Sequence, residues 1–277
     1  MEEMKELNIE EIHNVSLSAL KKIIEICDHL NINYYMTYGT LIGVIRHKGF
    51  IPWDDDLDIT MLRKDFNVFC EYCYSHEKEL YPYKLLSIKN TENYPYGIPR
   101  FNDMRFTAVY GNVKAYDSGI FIDIYPLDGA DHLADFPDKV HKLERKKTFL
   151  LKCLALSVDT HYIKSKNNSI FSEVIKRFMR CVCKKIGNAY FINKLSNLSN
   201  LYTLDESEYV SLITWDPDLP LFKKEWFKDY LYADFEDIRV KIPVGYDEFL
   251  KLQYGNYMEL PPVEQRIPSH DYKIYKK

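Results

Sequence analysis

The chain has 277 residues, 46% hydrophobic and 28% charged, proportions of a globular protein able to bury a core without staples. Its formal net charge of −4 excludes the basic field of a dedicated nucleic-acid binder. An acidic start without an apolar stretch, no run of 18 apolar residues and six cysteines without zinc-ribbon spacing point to a cytoplasmic protein with reduced thiols.

In chain order, residues 8–30 carry apolar side chains at the spacing of an amphipathic helix, broken at Asn31. Tyr34 to Tyr38 reads as a short strand running into Gly39. Thr40 is placed to cap a short helix over Leu41 to Arg46, closed by a turn at His47, Lys48 and Gly49. A loop over Ile51 to Asp55 leads to an alternating strand, Asp56 to Met61, and then to a helical pattern over 63–80. Tyr83 to Ile88 reads as a strand, with weaker candidates at Gly97 to Phe101 and Phe106 to Tyr110. The clearest strand is Gly119 to Tyr125, with Ile120, Ile122 and Ile124 on one face and Phe121, Asp123 and Tyr125 on the other. From about 135 to 202 the pattern is helical, with basic and apolar residues interleaved. The tail from 209 mixes a short strand, aromatic loops and a final helix near Asp247 to Tyr254. A mixed α/β (α+β) fold with a helical second half follows.

The chemistry concentrates where the first half turns acidic. If Asp56 begins a strand, Asp56 and Asp58 share a face about 6.5–7 Å apart, a separation that lets both bend toward one hard divalent cation. Magnesium fits, because it takes oxygen ligands and bridges to substrate phosphates; manganese is the alternative. The Gly39-Thr40 turn would offer backbone N–H groups to phosphate. Asp123, in mid-strand, is costly to bury unless paired or metal-bound. If its strand lies beside the first, it completes a three-acid site, either as a ligand or as general base to an acceptor hydroxyl. Arg46, His47, Lys48, Arg100 and Arg105 are candidate phosphate contacts, and Asp54 belongs to the same acidic run.

Tyr38 to Asp58, containing Gly-Thr-Leu-Ile-Gly-Val-Ile-Arg-His-Lys-Gly-Phe-Ile-Pro-Trp-Asp-Asp-Asp-Leu-Asp, resembles the signature of the LicD family. The resemblance continues through Asp117 to Asp128 and returns at Tyr254 to Pro262, with Arg266 and His270. It brackets about residues 20–130 and 240–272, leaving the helical region without a matching motif. It implies a nucleotidyltransferase-like fold in which Gly39 and Thr40 begin the nucleotide-side turn, Asp56 and Asp58 form the metal pair and Asp123 is the third acid. It also implies a CDP-activated alcohol, most often CDP-choline, as donor of a phospho-alcohol group, with release of CMP. The acceptor would be a sugar hydroxyl on a lipid-linked or oligosaccharide precursor of teichoic acid, lipopolysaccharide or capsule. Arg266 and His270 become candidate site residues because they fall in a matching block.

The expected organisation is a catalytic core over 1–130, a mainly helical subdomain over 131–239 and a segment over 240–277 that packs back on the core. The basic-apolar stretch Ile170 to Ile186 suits either an ordinary helix on the core or a peripheral contact with an anionic membrane at the inner face. Two other functions fit the acids: a nucleotidyltransferase moving NMP from an NTP to a sugar phosphate or aminoglycoside, and a non-catalytic metal-binding scaffold.

Overall fold

The computed structural model describes residues 5–92, 94–110, 116–131, 133–158, 170–215, 218–268, 270 and 272–277, without the side chains of 170 and 171. Ile9–Leu30 forms α1, opened by a reciprocal capping box between Asn8 and Glu11 and closed by Asn31 in the left-handed region. Ser16, Ala19, Leu20, Ile23, Ile26 and Cys27 face inward, at helical spacing.

The expected strand at 34–38 shrinks to Tyr35–Met36 (β1), because the chain turns into a helix at Tyr38. That helix, Tyr38–Ile42 (α2), is preceded by Thr37 and runs on as a π-helical turn over Gly43–His47. Thr40 therefore lies inside the helix and does not cap it. Lys48 closes the turn at φ 60°, in the left-handed region.

Asp58–Leu62 (β2) starts two residues later than expected, and Arg63–Ser75 (α3) ends five residues earlier than the pattern over 63–80 implies. Then come Tyr83–Leu86 (β3), Arg100–Asp103 (β4), Phe106–Tyr110 (β5) and Ile120–Gly129 (β6). Three helices follow, Pro137–Ser157 (α4), Ile170–Ile186 (α5) and Asn188–Ser199 (α6). Tyr209–Ser211 (β7), Phe222–Lys223 (β8), the hairpin Tyr230–Phe235 (β9) and Ile238–Pro243 (β10), Tyr246–Tyr254 (α7) and Tyr272–Lys276 (β11) complete the chain. Within 131–239 the long helices stop at Ser199, and β7 to β9 occupy the remainder.

The central sheet has the order β1-β2-β6-β4-β3, with β7 continuing along the far end of β6 and β8 beyond it. Only β2 and β6 pair in parallel, so the sheet is mixed. All ten residues of β6 are buried, as a strand covered on both faces requires. Helices α1 and α3 cover the sheet through Leu20, Ile23, Cys27, Phe66 and Phe69, and the β9–β10 hairpin adds Phe235, Val240 and Ile242 to that core. Each such buried side chain contributes about 1.5–3 kcal/mol. A second core lies among α4, α5 and α6, built on Leu143, Leu150, Cys153, Cys183, Phe191 and Leu195. The end of the chain returns across the molecule: β11 pairs antiparallel with β5 over five residues and closes a small core of Phe106, Ala108, Ile120 and Ile274. The six cysteines are free, and no helix among the described residues is long and apolar enough to cross a membrane.

Candidate active site

The register of three strands assembles the centre. Asp58 of β2 stands opposite Asp123 of β6, and Asp123 stands opposite Arg100 of β4. Leu57 O accepts from Asp123 N at 3.0 Å, and Asp58 N donates to Thr40 Oγ1 at 2.9 Å. The sheet ladder therefore begins at Leu57, and Asp56 belongs to the loop before the strand. Thr40 is buried and spends its hydroxyl on fixing the position of Asp58.

A cavity of about 340 Å³ opens above this row, lined by Asp54, Asp56, Asp58, His270 and Gly39, with Tyr38, Tyr125, Trp215 and Tyr254 forming an aromatic wall. Gly39 is required by close approach: a Cβ there would lie 2.7 Å from Asp54 Oδ2. Tyr38 holds φ at 49°, a conformation that costs an L-residue about 1–2 kcal/mol. Its ring packs edge-on to Tyr125 at 5.0 Å between centroids, and Tyr125 meets Trp215 at 5.6 Å.

Asp123 is near the cavity without lining it. Its Oδ1 accepts from Arg100 Nε at 2.6 Å and its Oδ2 from Nη2 at 3.2 Å, with both side chains buried. The guanidinium is clamped between the rings of Tyr96 and Phe121, at 3.6 and 3.9 Å from their centroids. The Tyr125 hydroxyl lies 3.3 Å from Asp58 Oδ1 and 3.5 Å from Asp123 Oδ2, joining the two acids.

The other carboxylates lack such a cation. Burial, then repulsion from Asp54, pushes the Asp56 acid up to about 7. Burial raises Asp58 well above the usual carboxylate range, with Asp56 and Asp123 adding to it, and burial followed by Asp55 raises Asp54. The C-terminal segment supplies a partial counterweight. His270 Nδ1 donates to Asp55 Oδ1 at 2.8 Å, and Nε2 lies 3.6 Å from Asp56 Oδ2. The hydrogen bond to Asp55 raises the His270 pKa, and burial opposes the shift.

A divalent cation fits this donor set. Buried carboxylates that repel one another have the charge excess it would neutralise, and one atom each from Asp55, Asp56 and His270 lie within 4.8 Å of one another. This triple differs from the expected Asp56, Asp58 and Asp123 set. The difference arises because Arg100 engages both oxygens of Asp123 and the C-terminal return brings His270 to Asp55.

The remaining candidates lie off the cavity lining. Arg46 Nη1 donates to the carbonyls of Tyr257 and Glu259, anchoring the C-terminal segment. Lys48 is exposed, and its carbonyl accepts from Glu236 N. Arg105 pairs with Asp103, and Arg266 sits over Trp53 while donating to Pro261 O. His47 packs edge-on against Trp53. Sequence reasoning missed Asp55, Tyr254 and His13 as members of the site; His13 Nε2 contacts Asp54 O at 2.6 Å. Asp55 carried a signal as part of the acidic run and Tyr254 as the first residue of the third matching block; His13 carried none.

Comparison with known proteins agrees with this architecture. Residues 31–150 match the family described as LicD/FKTN/FKRP, nucleotidyltransferase domain. The whole chain is similar to the lipopolysaccharide cholinephosphotransferase LicD of Haemophilus influenzae, 29% identical over 98% of this chain and 99% of that protein. Shorter matches, 42% identical over 23% of this chain, join it to uncharacterized proteins of Rickettsia typhi and Rickettsia prowazekii, covering 21% and 24% of those proteins. The matched block contains the Asp58, Asp123 and Arg100 row: residues 31–150 carry a LicD-family nucleotidyltransferase domain, and the chain resembles a LicD protein along its whole length.

Proposed function

We propose that this chain transfers phosphocholine, or a related phospho-alcohol, from a CDP-alcohol to a sugar hydroxyl of a cell-surface glycan precursor, releasing CMP. The observation that carries this reading is the cavity itself, which sets an aromatic wall of Tyr38, Tyr125, Trp215 and Tyr254 beside a cluster of carboxylates. A quaternary ammonium is attracted to ring faces, and the carboxylate side suits a metal-held diphosphate. The full-length resemblance to a protein named as a cholinephosphotransferase supports the same group and a lipopolysaccharide-type acceptor.

In this reaction the acceptor oxygen forms a bond to the phosphorus carrying the alcohol, and the bond from that phosphorus to the oxygen shared with CMP breaks. Magnesium or manganese, held by Asp56 and Asp58 with Asp55 and His270 beside them, would neutralise charge on the donor diphosphate. The protein's own part is alignment, since phosphoryl transfer asks chiefly for positioning and charge stabilisation. Thr40 and the strand ladder hold Asp58, while Arg100 holds Asp123 behind it. The hydroxyl proton passes to Asp54, which lines the cavity outside the metal pair; the oxygens of Asp123 are occupied by Arg100.

Incubation with labelled CDP-choline, magnesium and a glycan acceptor tests the reading. Free CMP and a phosphocholine-bearing glycan are expected, with turnover lowered at least a thousandfold in Asp58→Asn and an unchanged circular dichroism spectrum. CMP incorporation from CTP instead would identify a nucleotidyltransferase. Near-normal turnover in Asp58→Asn would remove the assignment.

A further inference from the structure

Helix α5 is mounted with its apolar side outward. Val174, Ile175, Phe178 and Ile186 are 59%, 46%, 67% and 47% exposed, whereas Glu173 and Cys183 on the opposite side are buried. At 3.6 residues per turn, positions 174, 175, 178, 182 and 186 fall within about 120° of arc, a face that also carries Lys185 near its C-terminal end. An ordinary surface helix does the reverse. Cys183 instead meets Cys153 of α4 in the helical core, and one turn before Cys153 the ring of Phe149 is also exposed, at 57%.

The surroundings of this face are basic. Helices α4 and α5 together contain eleven Lys and Arg against three Asp and Glu, a net +8 in a chain whose total is −4. Lys142, Arg145, Lys146 and Lys152 on α4 and Lys184 and Lys185 on α5 are exposed. Exposed hydrocarbon bordered by cations matches an anionic bilayer, whose headgroups meet the charges while acyl chains accept the rings. A second copy of this chain is disfavoured as occupant, because it would bring two such basic surfaces together.

We propose that α4 and α5 form a face that docks peripherally on an anionic lipid bilayer, with Val174, Ile175 and Phe178 entering the headgroup boundary. Grooves connect this face to the acidic cavity. The cleft along α4 shares Glu144 and Asp218 with a second groove, and that groove shares Tyr38 and Tyr254 with the cavity. On the transfer reading above, docking brings a lipid-borne acceptor to the chemistry; the docking itself does not depend on that reading.

Vesicle co-sedimentation tests the face without any measurement of turnover. The full chain is expected to sediment at low salt with vesicles of equal parts phosphatidylglycerol and phosphatidylcholine, at least tenfold more tightly than with phosphatidylcholine alone. The double variant V174E/F178E, folded by circular dichroism, should lose at least tenfold of that binding. K184E/K185E should bind anionic vesicles more weakly and with a shallower salt dependence. Failure of the full chain to bind anionic vesicles at low salt overturns the proposal, as does undiminished binding by V174E/F178E. A concentration-dependent dimer abolished by V174E/F178E would assign the face to a second copy and overturn it equally.

Discussion

Buried carboxylates are treated in two ways in this molecule. Asp123 has a dedicated arginine on both oxygens, whereas Asp54, Asp56 and Asp58 face one another with His270 as the nearest partial cation. Asp128, at the far end of β6, is an intermediate case. Its Oδ1 accepts from Arg63 Nε at 2.6 Å, while its buried Oδ2 has no partner among the described residues. Burial outweighs the arginine and lifts the acid from 3.8 to about 6. A carboxyl raised on folding contributes stability that is fully present below its unfolded pKa and lost as pH rises through the folded one. Between pH 4 and 7 the wild type should therefore lose about 2 kcal/mol relative to Asp128→Asn, which cannot ionise. Urea midpoints of the two proteins across that range measure the gap. A gap moving in the opposite direction would mean that the Arg63 ion pair, not burial, governs the group.

At the scale of elements, the site is a property of register. β4, β6 and β2 place Arg100, Asp123 and Asp58 in one row, and no single stretch of sequence contains all three. Removing the arginine strands a buried charge, so Arg100→Met should cost about 3–5 kcal/mol. The double variant Arg100→Met/Asp123→Asn, which removes both charges, should recover most of that loss in urea denaturation. If it is no more stable than the single variant, the pairing is not what Arg100 contributes. β6 was readable in the sequence as a run of isoleucine and aromatic residues, as burial on both faces demands, and α1 because burial of one face imposes a period of about 3.6 on a long helix. The two-residue β1 was read too long and Thr40 was read as a cap, because a positive φ at Tyr38 starts the helix early and no local pattern announces that strain. β11 escaped because its ladder depends on β5, more than 160 residues away, and its Lys and Tyr side chains resemble a loop. Arg100 was readable as a cation near phosphate chemistry, but its partner was fixed by strand order.

On the scale of the whole molecule, the C-terminal return joins stability to the site. β11 covers Phe106, Ala108 and Ile120, and just before it His270 reaches Asp55 and Asp56 while Tyr272 donates to Asp55 O. Arg46 secures the same segment from the other side through the Tyr257 and Glu259 carbonyls. These contacts separate into two measurable parts. His270→Ala removes only the imidazole, so turnover should fall about tenfold or more while the melting temperature stays within a few degrees. A chain ended after Pro268 loses the imidazole and the five-residue ladder together. It should lose turnover at least as completely and also unfold at a clearly lower temperature, because the apolar patch under β11 becomes solvated. If the shortened chain melts like the full one, β11 is an ornament on β5. If His270→Ala matches the wild type in turnover, the acids operate without the imidazole, and the C-terminal return serves the fold alone.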